Sequence, residues 1–156
     1  MPHSFSQIYI HLVFGAKYRD AGIPHEVRVE LYQFMAAILT NLECPTQQLG
    51  GTEDHVHVLF SLSRSVSVAK VVEELKSKSS LWMRSRGPGF SDFQWQAGYG
   101  AFSVSQSHLH RVMLYIQNQV EHHRKMSFSD ECVAIAAKYG IRLKPRYRGA
   151  PDNSPG

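Results

Sequence analysis

Residues 55–62, HVHVLFSL, decide the fold. Read as a strand, the run sends His55 and His57 to one face of a sheet and Val56, Val58 and Phe60 to the other. Helices can bury the apolar face, which leaves two imidazoles side by side on the opposite one. Neutral imidazole ligates many divalent metals, so the pair covers two coordination positions. Alternating histidines also occur simply as the polar side of a sheet, and H-x-H alone leaves both readings open.

Working outward, residues 5–14, FSQIYIHLVF, are β-branched and aromatic and predict a first strand. Val27, Leu31, Phe34, Met35, Ile38 and Leu42 recur at three- and four-residue spacing and predict a helix over 25–42, stopped by Pro45. A weak strand over 46–50 and turn residues over 50–54 lead into HVHVLFSL. Val68, Val71, Val72, Leu75 and Trp82 mark a second helix ending near Gly87-Pro88-Gly89. DFQWQAGYGAFSV, residues 92–104, predicts one strand or a hairpin bent at Gly98 and Gly100. Ser105 or Ser107 can cap a third helix reaching about Lys125, and a short helix over 129–138 follows. KPRYRGAPDNSPG, residues 144–156, is basic and then Pro/Gly-rich, the composition of a fraying tail.

The order β-α-β-β-α-β-α predicts an α+β chain with the ferredoxin-like, split βαβ arrangement: an antiparallel sheet, helices over one face, and the first and third strands central. Residues 1–128 are expected to form a single domain, with 129–156 a short helix and basic tail. The chain has the 156-residue length of one domain, and no apolar run approaches the roughly 20 residues that span a bilayer. The N-terminus lacks a basic start and a small-residue cleavage site, so a cytoplasmic protein with no membrane contact is expected. Cys44 and Cys132 lie outside any zinc-like spacing and read as reduced thiols. A formal charge of +4 suits a polyanionic partner without deciding for one.

The third helix adds to the histidines. At 100° per residue, Leu109, Val112, Met113, Ile116 and Val120 share an apolar face, while Tyr115 and Gln119 form an i, i+4 pair to one side with His108 and His122. Tyr115 can be a boundary residue with a packed ring and a wet hydroxyl. It can equally be a nucleophile with a metal-binding carboxamide one turn away. A phenol of pKa about 10 needs help to attack, and a divalent ion that polarises a phosphate supplies it. Two histidines and a carboxamide oxygen suit Mg²⁺ or Mn²⁺, with Mn²⁺ the better match to imidazole.

DHVHVLF, KSKSSLW, WQAGYGAFSVS and YIQNQVEHH occur in the order of the HUH single-tyrosine transposases of compact bacterial insertion sequences, and the chain resembles that family over residues 4–126. The resemblance implies that His55 and His57 are the HUH metal ligands, Gln119 the third ligand and Tyr115 the nucleophile. It further implies cleavage of single-stranded DNA through a 5′-phosphotyrosine, a free 3′-hydroxyl that rejoins without a nucleotide cofactor, recognition of DNA hairpins at element ends, and a homodimer.

Lys76, Lys78, Arg84 and Arg86 in and after the second helix are candidate DNA contacts, although Glu73 and Glu74 beside them also fit an ordinary solvated face. Trp95, Tyr99 and Phe102 can stack on bases or pack in the core. Tyr9, Tyr18, Tyr139 and Tyr147 are rival tyrosines without a ligand-like partner at helical spacing. Two alternatives remain beside transposition: a non-catalytic single-strand-binding module, and a domesticated HUH nuclease acting on chromosomal repeats.

Overall fold

The computed structural model describes residues 3–17, 22–123 and 125–143. The expected tail over 144–156, Tyr18 and Tyr147 lie outside the described residues. Strands β1 (Tyr9–Gly15), β2 (Thr46–Gly51), β3 (His55–Ser61) and β4 (Gly100–Val104) form one antiparallel sheet in the order β2-β3-β1-β4. Helices α1 (His25–Asn41) and α2 (Val68–Arg84) follow β1 and β3. The ferredoxin-like arrangement with β1 and β3 central is therefore present.

Register shows how residue parity builds the interior. Ile10, Leu12, Phe14, Val56, Val58 and Phe60 face α1 and α2 and join Leu31, Met35, Leu39, Val71 and Leu75 in the main core. Each such side chain contributes about 1.5–3 kcal/mol on full burial. Ser67 caps α2 by accepting a hydrogen bond from the Lys70 amide at 3.1 Å. α1 starts at Pro24 with no side-chain cap, and its anchorage is the buried stripe Leu31, Met35, Ile38 and Leu39.

The second sheet face is also covered. Helices α3 (Leu109–Gln117), α4 (Gln119–His122) and α5 (Phe128–Lys138) pack there, so His55 and His57 are fully buried and do not stand on an open face. On this side Tyr9, Leu59, Val104 and Ile116 form a small apolar cluster with a few partly buried neighbours, and Phe128, Ile135 and Ala136 of α5 are buried as well. Glycines make the close approach possible. Gly15 pairs with His55 and Gly50 with His57, so neither histidine has a β1 or β2 side chain, respectively, directly opposite. A Cβ on Gly50 would lie 2.5 Å from the Ile116 carbonyl oxygen, and one on Gly15 would lie 2.7 Å from the Phe128 ring.

Two elements differ from the sequence expectation. The third helix does not run unbroken to Lys125, because Asn118 leaves helical geometry (φ −97, ψ 21) between α3 and α4. The break turns Val120 outward, 52% exposed, although periodicity places it on the apolar face. In 92–104 only Gly100–Val104 is strand. Upstream, Gly98 takes a positive φ of 86°, and Phe93 and Trp95 fold into the main core instead of extending a ladder. Trp95 keeps an isolated bridge to Ala16 and donates its indole N–H to Ser79 Oγ at 2.8 Å.

Replacing Gly50 by Ala forces α3 and β2 apart at backbone atoms that cannot rotate away. The expected result is a loss of about 1–3 kcal/mol in unfolding free energy. Urea denaturation measures it, and an unchanged midpoint would show that α3 does not bear on Gly50.

Candidate metal centre and nucleophile

β3 is hydrogen-bonded on both edges, which makes it a rigid mount for His55 and His57. His55 Nδ1 lies 2.7 Å from Asp54 Oδ1 and 2.9 Å from Thr52 Oγ1. That carboxylate holds the Nδ1 proton and directs Nε2 inward, where it lies 2.9 Å from Gln119 Oε1. The ring stacks on Phe128 with centroids 4.1 Å apart. His57 Nδ1 lies 2.8 Å from His11 Nε2, and the two rings are stacked. His57 Nε2 also points inward, 3.2 Å from Glu131 Oε1.

The structure brings Tyr115 and Gln119 to this pair. Gln119 is fully buried despite the helix break, and Tyr115 stands edge-on to His57 with ring centroids 5.8 Å apart. The Tyr115 hydroxyl donates a short hydrogen bond to Glu131 Oε2. His55, His57, Gln119 and Tyr115 thus meet within one chain. His108 does not join them, and hydrogen-bonds to Ser105 at the exposed start of the helix.

Sequence reasoning missed Glu131, His11 and His123. Glu131 is 1% exposed and receives His55, His57, His123, Gln119 and Tyr115. The available signal was a lone carboxylate in the buried stripe Phe128, Glu131, Ile135 and Ala136 of α5. His11 shares strand parity with Tyr9 and Val13, but sequence alone does not give the register that places it beside His57.

The charges are linked. Burial works against a charged His55, yet its bonds to Asp54, Glu131 and Gln119 prevail and carry it up to about 9. Burial pushes His57 down, against the pull of Glu131. Burial, reinforced by His57, takes His11 down to about 3. Burial opposes ionisation of Glu131, but hydrogen bonds from His55 and His57 hold it well below the usual carboxylate range. The Tyr115 phenol is pushed above its ordinary range by burial first and by the Glu131 hydrogen bond second.

A family model described as "Transposase IS200 like" matches residues 4–119. This chain belongs to the IS200-like transposase family. Several solved structures share its fold. A Deinococcus radiodurans protein described as a transposase candidate is 24% identical, with a TM-score of 0.59 over 75% of this chain and 94% of that one. A REP-associated tyrosine transposase bound to a REP hairpin is 12% identical, with a TM-score of 0.59 over 90% of this chain and 86% of that one. No curated protein matches. Membership of a tyrosine transposase family implies a divalent metal, and the donor chemistry here fits one. His55, His57 and Glu131 offer ligand atoms within 4.8 Å of one another, and His122, His123 and Glu131 form a second such group. No helix among the described residues is long and apolar enough to cross a membrane.

The basic candidates lie on and just after α2, on the sheet face opposite the histidines. Lys78 pairs with Glu74 at 2.9 Å, and Arg86 pairs with Glu30 while its guanidinium lies over Trp82. Arg84 donates to the Phe93 carbonyl. Lys76 donates to the carbonyls of Gln96 and Gly98 at 2.7 and 2.6 Å, and burial pushes its ammonium down to about 8. Of the three aromatics, Trp95 is core, Phe102 stacks on Tyr139, and Tyr99 is 46% exposed. Lys76 therefore pins the segment that leads into β4. Lys76→Met removes both bonds, and amide exchange over residues 96–100 is expected to quicken by about tenfold or more. Hydrogen-exchange mass spectrometry reads this, and unchanged protection there would deny Lys76 the pinning role.

Proposed function

We propose that this transposase cleaves and rejoins single-stranded DNA at insertion-sequence ends, with Tyr115 as nucleophile and His55, His57 and Gln119 as ligands of a divalent metal. The observation that carries the reading is the meeting of the Tyr115 ring, both inward Nε2 atoms and the Gln119 carbonyl oxygen in one buried cluster of one chain.

The Tyr115 hydroxyl gives up its proton as its oxygen attacks phosphorus, the P–O3′ bond breaks, and the leaving oxygen takes up one proton in turn as a free 3′-hydroxyl. The product is a 5′-phosphotyrosine diester of similar energy to the bond it replaces. A 3′-hydroxyl then reverses the chemistry on a new strand and no nucleotide cofactor is consumed. A bound Mg²⁺ or Mn²⁺ supplies polarisation of the scissile phosphate and compensation of its developing charge. Asp54 and His11 orient the two imidazoles, and the burial of His55, His57, Gln119 and Glu131 keeps bulk water from the cluster. Tyr115 starts as a protonated phenol bonded to Glu131, so DNA binding must redirect its hydroxyl toward the phosphate.

Hairpins at element ends are the proposed substrate, in keeping with the family and with the hairpin held by one structural neighbour. Lys78 and Arg86 sit in exposed ion pairs that hold them only weakly, and they serve the phosphates of the stem. Lys76 and Arg84 contribute by holding residues 93–98. One nucleophilic tyrosine per chain and two strand ends per excision make a homodimer the proposed working form.

Labelled single-stranded hairpin DNA from the flanks of the gene, incubated with protein and Mg²⁺ or Mn²⁺, is expected to give a denaturation-resistant adduct that EDTA suppresses. Tyr115→Phe abolishes the adduct and leaves hairpin affinity within about threefold, since one hydroxyl contact is lost. An undiminished adduct in that variant would sink the nucleophile assignment. Hairpin binding with no adduct under any metal would favour a non-catalytic binding module.

A further inference from the structure

We propose that Glu131 is a fourth ligand of the metal site, coordinating through Oε1, while its Oε2 anchors the Tyr115 hydroxyl. The inference rests on the metal-site reading above and adds to it a carboxylate delivered by α5, beyond the Gln119 segment.

The two carboxylate oxygens divide the cluster between them. Oε1 lies 3.3 Å from His55 Nε2, 3.2 Å from His57 Nε2 and 2.8 Å from His123 Nε2. Oε2 receives Tyr115 and the Gln119 amide, the latter at 2.9 Å. One oxygen thus faces both proposed ligand nitrogens, and the other faces the proposed nucleophile.

Ligation by His55 and His57 changes what Glu131 meets. A metal-binding Nε2 presents a lone pair, so neither imidazole can then donate a proton to Oε1. A buried carboxylate facing two lone pairs at about 3.2 Å is repelled unless a cation lies among them. Retreat is costly, because α5 is fastened along its length. Phe128 stacks on His55, Ser127 caps the first turn, and Ile135 and Ala136 are buried. Tyr139, just past its end, donates to the Ser103 carbonyl and stacks on Phe102. Coordination keeps α5 in place and removes the repulsion.

Spacing and chemistry agree. Ligand atoms about 2.1 Å from a common ion stand about 3.0–3.4 Å apart along the edges of a coordination polyhedron. The observed edges are 2.9 Å for His55 Nε2 to Gln119 Oε1, and 3.3 and 3.2 Å for the two Nε2 atoms to Glu131 Oε1. A carboxylate suits a hard cation, and two imidazoles with two oxygens suit Mn²⁺. His123, bonded to Oε1, orients the carboxylate from behind.

The test is Mn²⁺ binding without DNA, followed by the electron paramagnetic resonance of free Mn²⁺, with water-proton relaxation counting the waters on the bound ion. Loss of outer-shell partners costs about 10–100-fold in metal affinity, so Glu131→Ala is expected to lose about 100-fold or more and to gain one inner water. Glu131→Gln, nearly isosteric, falls between the two and carries the test if the Ala variant does not fold. His57→Ala is the control for the site itself. Wild-type affinity and water count in both Glu131 variants, with binding lost in His57→Ala, would overturn the Glu131 ligand and leave the histidine site standing. Unchanged Mn²⁺ affinity in His57→Ala would overturn the metal-site reading and this inference with it.

Discussion

The site depends on two imidazoles being buried on the side of β3 that faces away from the main core. Polar rings are accepted there only if every ring nitrogen finds a partner, because an unpaired buried donor or acceptor costs about 1–3 kcal/mol. Asp54, Thr52 and His11 satisfy the Nδ1 atoms from the strand side, and Gln119 and Glu131 satisfy the Nε2 atoms from the helices. Gly15 and Gly50, paired with the two histidines, leave the helices room to come this close. Without that clearance α3 and α5 would ride higher, and the cluster would be wet.

This arrangement divides the labour of the fold. The apolar face of the sheet, packed on α1 and α2, supplies most of the hydrophobic stabilisation. The opposite face carries a smaller apolar cluster, and a polar network centred on Glu131 adds to it in holding α3, α4 and α5. Such networks strengthen a structure when complete and weaken it when one member is missing. A metal-dependent centre is a natural use for a face whose packing already relies on converging polar atoms. The helix break at Asn118 belongs to the same design, because Gln119 reaches His55 from a separate short turn, α4.

Much of this was legible in the sequence. Strand parity in HVHVLFSL predicted which residues enter the core, and the spacing of Leu31, Met35, Val71 and Leu75 predicted the helices that cover them. Tyr115 and Gln119 do meet the histidines, even though the unbroken helix used to pair them is interrupted. What stayed hidden depends on register and on long-range packing. His11 reaches His57 through β1–β3 pairing, and Glu131 reaches the cluster from 74 residues beyond His57. From sequence Lys76 and Arg84 read as DNA contacts or solvated charges, yet burial of Phe93 and Trp95 brings the carbonyls of 93–98 within their reach. Helical periodicity does not report a break at a single asparagine, and so it places Val120 inward where the structure exposes it.

On this reading the inward Nε2 atoms of His55 and His57 form one metal centre beside Tyr115. Anomalous diffraction from crystals grown with Mn²⁺, collected at the manganese absorption edge, tests it most directly. The account predicts a single strong peak in contact with both Nε2 atoms and with Gln119 Oε1. No peak there at saturating Mn²⁺, or a peak held by His122 and His123 alone, would contradict it.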